Sequence, residues 1–397
     1  MAPGPIDDSI VDVVVQKKDT VPLPEPARER LTKAGIDLSD GYPYRPHKPL
    51  FLQDIAKIRS EDRPYVDAGS RADKSKKHLF AAATKVTDLT VNIGTEIEGL
   101  QLKDLTAEQK DELGLLIAER SVVFFRNQDI TPQQQKELGE WYGEPEVHPQ
   151  AAQVPGVLGA TVIWPDLFAQ EPGRPPTFFR RPGGASSWHS DLVHEKQPAG
   201  VTHLHNDTVP PVGGDTLWSS GYGAYDKLSP GFRKIIDGRL AVYRSAHPYL
   251  DRDRPEAGPQ FLERVHPLVR VHPATGWKAL WVNRAMTVRI VGLDKAESDV
   301  LLNYLFDVME KNVDIQVRFK WTPNTSVLWD NRITIHNASW DYGGKHPRHG
   351  TRVTSLAEIP FFDPKAPSRR QALGLLDEVE KQELLEQTTR EINDFSI

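Results

Sequence analysis

The stretch Trp188-His189-Ser190-Asp191 places a histidine and an aspartate two positions apart. On an extended strand residues i and i+2 face the same side, so both side chains can reach one metal ion while Ser190 points away. An H-x-D pair by itself recurs often, and two polar neighbours without a shared role is the plainer reading. Further along the chain, VLWDNRITIHNASWDY places His336 on another apolar segment. Two histidines and one carboxylate gathered on strands form a facial triad, which leaves three adjacent metal positions open and suits Fe(II) working with O2.

An iron centre of this kind needs a partner that fills two of the open positions and supplies electrons. A chelating 2-oxo acid does both, and its far carboxylate calls for a guanidinium, whose planar fork satisfies both oxygens. HPRHGTRVTS supplies Arg348 and Arg352. Both share strand parity with Gly350, so the two guanidiniums can point into one interior with Cα atoms roughly 13 Å apart. The competing reading is a pair of surface arginines on an edge strand.

The elements that must position these residues are short. From about 155 to 360, GVTHLHND, DTLWSS, HPLVRVHP, KALWVNR, TSVLWD and RVTSLAEI alternate with Pro and Gly turns. That pattern predicts an antiparallel sandwich or jelly roll rather than a βαβ sheet: a mainly β protein with flanking helices. Upstream, Val86, Leu89, Val91 and Ile93 predict one half-buried strand, and SVVFFR a fully buried one. Thr106 with Gln109, and Thr131-Pro132 with Gln134, have the form of capping boxes and predict two helices, the second ending near Gly143. Inside the β region, DKAESDVLLNYLFDVMEKN predicts a helix with Val300, Leu301, Tyr304, Leu305 and Val308 at helical spacing.

Residues 1–84 are rich in Pro and charge, and are expected to form an extension that wraps the domain or is partly disordered, with the lysine run at 74–77 a solvated surface. The main domain is expected over 85–362. A C-terminal segment, 363–397, is expected to carry an amphipathic helix around 368–392, with Leu376, Val379 and Leu384, packed on the outside or on a second copy of the chain in a homo-oligomer. No internal repeat is evident.

The 397 residues, 38% of them hydrophobic and 8% aromatic, can supply a substantial core. A net charge of −6 argues against nucleic acid as the main partner. The chain has no cysteine, which excludes disulfide scaffolds and thiolate metal sites and leaves His, Asp and Glu as ligands. No apolar run approaches a membrane span and the first residues lack a signal-peptide pattern, so a cytoplasmic protein without a membrane partner is expected.

The segments WHSD, PPVGGDTLWSSGYGAYDKLSP, HPLVRVHPATGWKALWVNR, WDNRITIHNASWDY and RHGTRV occur in this order over roughly residues 86–360. In them the chain resembles the taurine dioxygenase family of Fe(II)/2-oxoglutarate-dependent oxygenases, including its fungal sulfonate-oxidising branch. The resemblance implies a double-stranded β-helix, the cupin-like form of the jelly roll. It implies His189, Asp191 and His336 as iron ligands, Thr216 of GGDT and Arg348 as 2-oxoglutarate contacts, and Arg352 as the anchor for an anionic substrate. It also implies a reaction in which 2-oxoglutarate and O2 are consumed, succinate and CO2 are formed, and an aliphatic C–H of a small anionic substrate is oxidised. His148 matches a family histidine that contacts the substrate sulfonate. The family's tyrosine three residues later is here Ala151, and a pocket phenylalanine is here Met286, so the pocket is expected to be reshaped and taurine to be a poor substrate. The substrate is then another sulfonate or an amino or carboxylic acid. In the second case the same chemistry gives hydroxylation, desaturation or ring closure, as in natural-product tailoring.

Two further readings compete. His203, His205 and Asp207 of HLHND resemble the H-x-H-x-D opening of metallo-β-lactamase-type zinc hydrolases, but Thr208 stands where that motif has its next histidine. Structural roles are expected for His203 and His205, or a place for one of them beside the pocket. VHEK around His194 lacks the second histidine of a zincin. A non-catalytic jelly-roll binding protein would not require the triad, the threonine and both arginines together.

Overall fold

Short β-branched and aromatic runs, cut by Gly and Pro turns, fold into two facing sheets. The structure is a computed structural model and describes residues 21–46, 51–58, 62–149, 151–169, 188–376, 378–382 and 385–386. The larger sheet has eight strands, in the spatial order Lys85–Asp88, Thr95–Glu98, Val122–Phe125, Thr325–Asp330, Ala199–Thr208, His349–Leu356, Val157–Ile163 and Gln153–Val154. Its one parallel contact joins Thr95–Glu98 to Val122–Phe125. The smaller sheet places Thr216–Ser220 between Gln316–Phe319 and Thr334–Ala338. This is the jelly-roll architecture expected from the strand pattern.

Alternation along the strands decides what lies between the sheets. Phe124, Leu204, Val327 and Trp329 of the larger sheet form one buried cluster with Trp218, Val317 and Phe319 of the smaller one. Their neighbours Val123, Phe125, Val201 and Leu328 face the other way, onto the helices Ala107–Arg120 and Pro132–Tyr142. Both helices start at the predicted capping boxes, with the Thr106 and Thr131 hydroxyls accepting from the backbone N–H of Gln109 and Gln134. A second β layer, built on Leu240–Tyr249, packs with the helix Lys295–Lys311 into a separate core that includes Trp281, Leu305 and Met309.

Several local expectations are corrected. The run from Val86 to Ile93 is the first strand and turn of a hairpin, not one strand. Arg120 donates to the carbonyls of Thr90, Val91 and Gly94 and holds the chain in that turn, leaving Val91 exposed. On Lys295–Lys311 the buried stripe is Leu302, Leu305, Phe306, Val308 and Met309, while Val300 and Tyr304 face outward. Lys76 is not part of a solvated run, because it is buried and paired with Glu119 at 2.8 Å. Near the C-terminus a short helix covers Arg369–Ala372 and residues 378–382 are helical, with Val379 exposed; Leu384 and residues 387–392 of the expected long helix lie outside the described residues. No helix among the described residues is long and apolar enough to cross a membrane.

Described residues before 85 lie against the domain. The helix Glu25–Lys33 buries Ala27 and Leu31, and Leu31 joins a cluster with Val162 and Val353 of the larger sheet. Asp67 enters a buried ionic network in which Arg332 bonds to Asp67 (2.6 Å), Asp330 (2.6 Å) and Glu358 (3.0 Å). Arg270 completes it through Glu358, and His272 through Asp330. Burial opposes ionisation of Asp67, Asp330 and Glu358, but Arg332 outweighs it and their pKa values fall below the usual carboxylate range. Depressed carboxylates contribute stability that is fully present above the unfolded pKa and is lost as pH falls toward the folded one. Arg332→Met is expected to cost about 3–5 kcal/mol in chemical denaturation at neutral pH, since it removes the cation shared by three buried carboxylates and leaves Asp67 without its close cation. The wild type should lose stability progressively below about pH 4. A neutral-pH loss under about 1 kcal/mol would show that the network is not held together by Arg332.

Candidate active site

His189 and His336 meet in a one-residue antiparallel bridge, with His189 N–H donating to the His336 carbonyl (3.0 Å) and the reverse bond at 2.8 Å. The expected strand at HSD is therefore only this bridge, and Asp191 stands in the turn that follows. Ser190 does point away, donating to the Asn331 carbonyl at 2.6 Å. His336 belongs to Thr334–Ala338 of the smaller sheet, opposite Trp218. One ligand atom from each of His189, Asp191 and His336 lies within 4.8 Å of the others. His189 Nε2 is 3.7 Å from Asp191 Oδ1, and the two imidazole centroids are 4.2 Å apart.

The protonation states suit a cation. Burial raises the Asp191 pKa, but Arg352, His336, His189 and His148 outweigh it and bring it to about 2, so the carboxylate is ionised at neutral pH. Burial, aided by the neighbouring His189, lowers His336 to about 3, which keeps its imidazole neutral and able to coordinate. Two imidazoles and one carboxylate are a donor set that fits Fe(II).

Arg352 and Arg348 lie on His349–Leu356 and its entry. Arg352 stands opposite Leu204 on the neighbouring strand and donates from Nη1 to Asp191 Oδ2 at 3.3 Å. It thus touches a candidate metal ligand directly, a contact the sequence did not suggest. Arg348 is 2% exposed, which excludes a surface arginine. Its Nη1 donates to the Gly214 carbonyl at 2.9 Å, and its Nε is buried without a partner. Burial lowers its pKa, with the Tyr342 phenol, Asp215 and Asp166 partly offsetting. Asp215 is itself engaged by Arg318 at 2.6 Å. Arg348 is accordingly a buried cation with unmet donor capacity, suited to a carboxylate brought by a ligand. Thr216 is close by through Trp321: the indole N–H donates to Thr216 Oγ1 at 3.0 Å, and Arg348 Cζ lies 5.9 Å from the same ring.

The three substrate-side residues are placed unequally. His148 Nδ1 accepts from the Ala151 backbone N–H at 3.1 Å, so these two sit together, and His148 is near enough to Asp191 to lower its pKa. Met286 is buried in the cluster that also contains Trp188 and Ile335, the residues preceding His189 and His336. His203 and His205 do not line the interior. Both contact Ser326 Oγ at 3.0 Å on the outer face of the larger sheet. Burial lowers both pKa values, that of His203 to about 3.

Two residues of the site were not singled out from sequence. Trp321 joins the Thr216 and Arg348 ends. Asn331 accepts from Asp191 N–H (3.2 Å) and donates to the Gly200 carbonyl (2.9 Å) and Thr202 Oγ1 (2.8 Å), which ties the Asp191 turn to the larger sheet. The signal for Asn331 was its place in WDNRITIH, five residues before His336.

Residues 85–354 match the family described as taurine catabolism dioxygenase TauD, TfdA family. The chain belongs to this family. It is 36% identical over 317 residues to an alpha-ketoglutarate-dependent sulfonate dioxygenase of Saccharomyces cerevisiae, covering 77% of this chain and 76% of that one. It is 37% identical over 308 residues to the alpha-ketoglutarate-dependent dioxygenase cnsM of Penicillium expansum, covering 74% and 84%. The crystal structure of a taurine dioxygenase from Burkholderia xenovorans superposes with a TM-score of 0.60 at 29% identity, covering 74% of this chain and 99% of that one. The jelly-roll fold and the enzyme class, a 2-oxoglutarate-dependent dioxygenase, agree with the expectations from the motifs.

If the three clustered side chains hold the metal, His336→Ala and Asp191→Ala should each weaken Fe(II) or Mn(II) binding by at least tenfold in a direct titration and abolish metal-dependent turnover. Near-normal metal affinity and activity in His336→Ala would remove it from the ligand set.

Proposed function

We propose that the protein is an Fe(II)- and 2-oxoglutarate-dependent dioxygenase that oxidises an aliphatic C–H of a small anionic substrate, a sulfonate or a carboxylate. The observation that carries this reading is the convergence of His189, Asp191 and His336, with buried Arg348 left short of an acceptor on the same interior. The named activity of the Saccharomyces relative supports a sulfonate. When bound, Fe(II) with 2-oxoglutarate and O2 would supply the oxidant for the C–H, releasing succinate and CO2.

In this reading His189, Asp191 and His336 would hold the metal. Arg348 orients 2-oxoglutarate by its distal carboxylate, and Thr216 adds a hydroxyl at that end. Arg352, fixed by Asp191 through one nitrogen, keeps a buried Nε free for an anion beside the metal. His148 adds a polar contact on the substrate side. Ala151 and Met286 shape the pocket, and Met adapts through three flexible bonds to a ligand other than taurine. Incubation with Fe(II), 2-oxoglutarate and a panel of alkylsulfonates, amino acids and carboxylates, scoring succinate and sulfite, tests the function. Fe(II)-dependent succinate raised by an anionic substrate is expected; hydrolysis dependent on zinc, or no 2-oxoglutarate turnover with any metal, would contradict it.

The two arginines separate by their ligands. Arg348→Lys keeps the charge but loses the fork, and should raise the apparent KM for 2-oxoglutarate while substrate affinity changes little. Arg352→Ala should lower substrate affinity by about 2–5 kcal/mol, as for truncating one partner of a buried charge pair, with a smaller effect on 2-oxoglutarate. Identical 2-oxoglutarate dependence in Arg348→Lys and wild type would reassign Arg348.

Taurine should be turned over poorly by the wild type, and the pair Ala151→Tyr with Met286→Phe should shift relative kcat/KM toward it. Efficient taurine turnover by the unmodified enzyme, with sulfite released in step with succinate, would show that these two positions do not set specificity.

A further inference from the structure

The row of interior-facing residues between the two arginines contains a further buried polar group, Asn206. On Ala199–Thr208, Leu204 joins the core between the sheets while His203 and His205 face outward onto Ser326. Asn206 therefore faces inward, opposite Gly350 on the neighbouring strand. Its Oδ1 lies 2.3 Å from where a Cβ on residue 350 would stand, so the amide fills space that only a glycine leaves open. Asn206 is fully buried, and neither its Nδ2 nor its Oδ1 has a hydrogen-bond partner.

A buried amide with both ends unmet is unfavourable, and such a group calls for an explanation in an unseen ligand or water. Other buried amides nearby are engaged: Asn331 bonds to the Gly200 carbonyl and Thr202, and Gln135 to the carbonyls of His203 and Thr351. Two more unmet groups flank it on the neighbouring strand and its entry. Arg348 Nε and Arg352 Nε are buried without partners too, and Gly350, facing Asn206, lies midway between these two arginines in sequence. One end of the row touches Asp191 and the other reaches the Gly214 carbonyl. A short dicarboxylate that would chelate a metal held by His189, Asp191 and His336 and pair with Arg348 would run along this row and pass Asn206.

We propose that Asn206 is a 2-oxoglutarate-binding residue, its Nδ2 donating to the cosubstrate between the metal ligands and Arg348. This rests on the function proposed above. Its role is to fix the dicarboxylate along the strand, and Gly350 is the residue that makes room for it.

The test uses the full-length protein loaded with Mn(II), with 2-oxoglutarate titrated calorimetrically into wild type, Asn206→Ala and Asn206→Asp. Mn(II) affinity and the ligand-free Tm are measured in parallel. Asn206→Ala should raise the 2-oxoglutarate Kd tenfold or more. Asn206→Asp should raise it further, because a carboxylate would then face a carboxylate. Mn(II) affinity should stay within twofold, and the ligand-free Tm of Asn206→Ala should hold or rise, since two unmet polar atoms are removed. An unchanged Kd in Asn206→Ala, whether or not Tm falls, would overturn the proposal and leave Asn206 a structural or water-binding residue. Should Asn206→Ala fail to fold, Asn206→Ser carries the same comparison, with weakened 2-oxoglutarate binding expected and an unchanged Kd overturning it. Wild-type protein that binds Mn(II) but not 2-oxoglutarate would overturn the site reading itself, a result distinct from equal binding by wild type and variant.

Discussion

The candidate site depends on how Asn331 fastens one turn to the larger sheet. Its side chain donates to the Gly200 carbonyl and Thr202 Oγ1 on the larger sheet, and its Oδ1 accepts from the Asp191 N–H and from the Trp329 indole at 3.2 Å. Its carbonyl accepts from Ser190 Oγ and from the Trp281 indole at 2.9 Å. Both ends of the amide are satisfied in the interior, where such bonds are strong and their loss costly. The short segment carrying His189 and Asp191 has almost no regular structure of its own. Asn331, the bridge to His336 and the Arg352–Asp191 contact together fix the distance between its two candidate metal ligands and the histidine of the smaller sheet.

The same two-residue period that builds the barrel sorts its polar groups. Inward positions on Ala199–Thr208 and His349–Leu356 carry Leu204, Asn206, Gly350 and Arg352. Outward positions carry His203, His205, Asp207, His349 and Thr351, and this outer face is closed by the N-terminal segment. Arg30 donates to Asp207 (3.3 Å) and Thr351 (2.9 Å), and Tyr42 contacts His349 at 2.7 Å. Arg30 and Tyr42 thus cover the back of the strands whose front carries the arginines. A slip of one residue in the first strand would place Asp207 inside, and one in the second would place Arg352 outside. The buried pairing on the outer face therefore helps specify the register that the inner face needs.

Much of this was legible in the sequence because it is local or periodic. The capping boxes at Thr106 and Thr131 fix helix starts by contacts within three residues, and the parity of Arg348, Gly350 and Arg352 follows from strand geometry alone. The ordered motifs from WHSD to RHGTRV gave the fold and the enzyme class. What escaped was set by distant contacts. The hairpin after Val86 is held by Arg120, some thirty residues away in sequence. The buried stripe of Lys295–Lys311 depends on which of two overlapping apolar faces meets the second core. The Arg352–Asp191 contact joins residues far apart in sequence, as does the Arg332 network, and neither has a local signature. The structural roles expected for His203 and His205 agree with their outward facing onto Ser326; the alternative place for one of them beside the pocket does not, because spacing within a strand does not say which side of the sheet is the interior.

The central claim is that one constellation holds both the metal and the 2-oxo acid. A crystal structure of the protein with Mn(II) and N-oxalylglycine, a 2-oxoglutarate analogue, tests it most directly. The account predicts the metal on His189, Asp191 and His336, with the distal carboxylate of the analogue on Arg348. A metal bound elsewhere, or an analogue whose distal carboxylate sits away from Arg348, would contradict it.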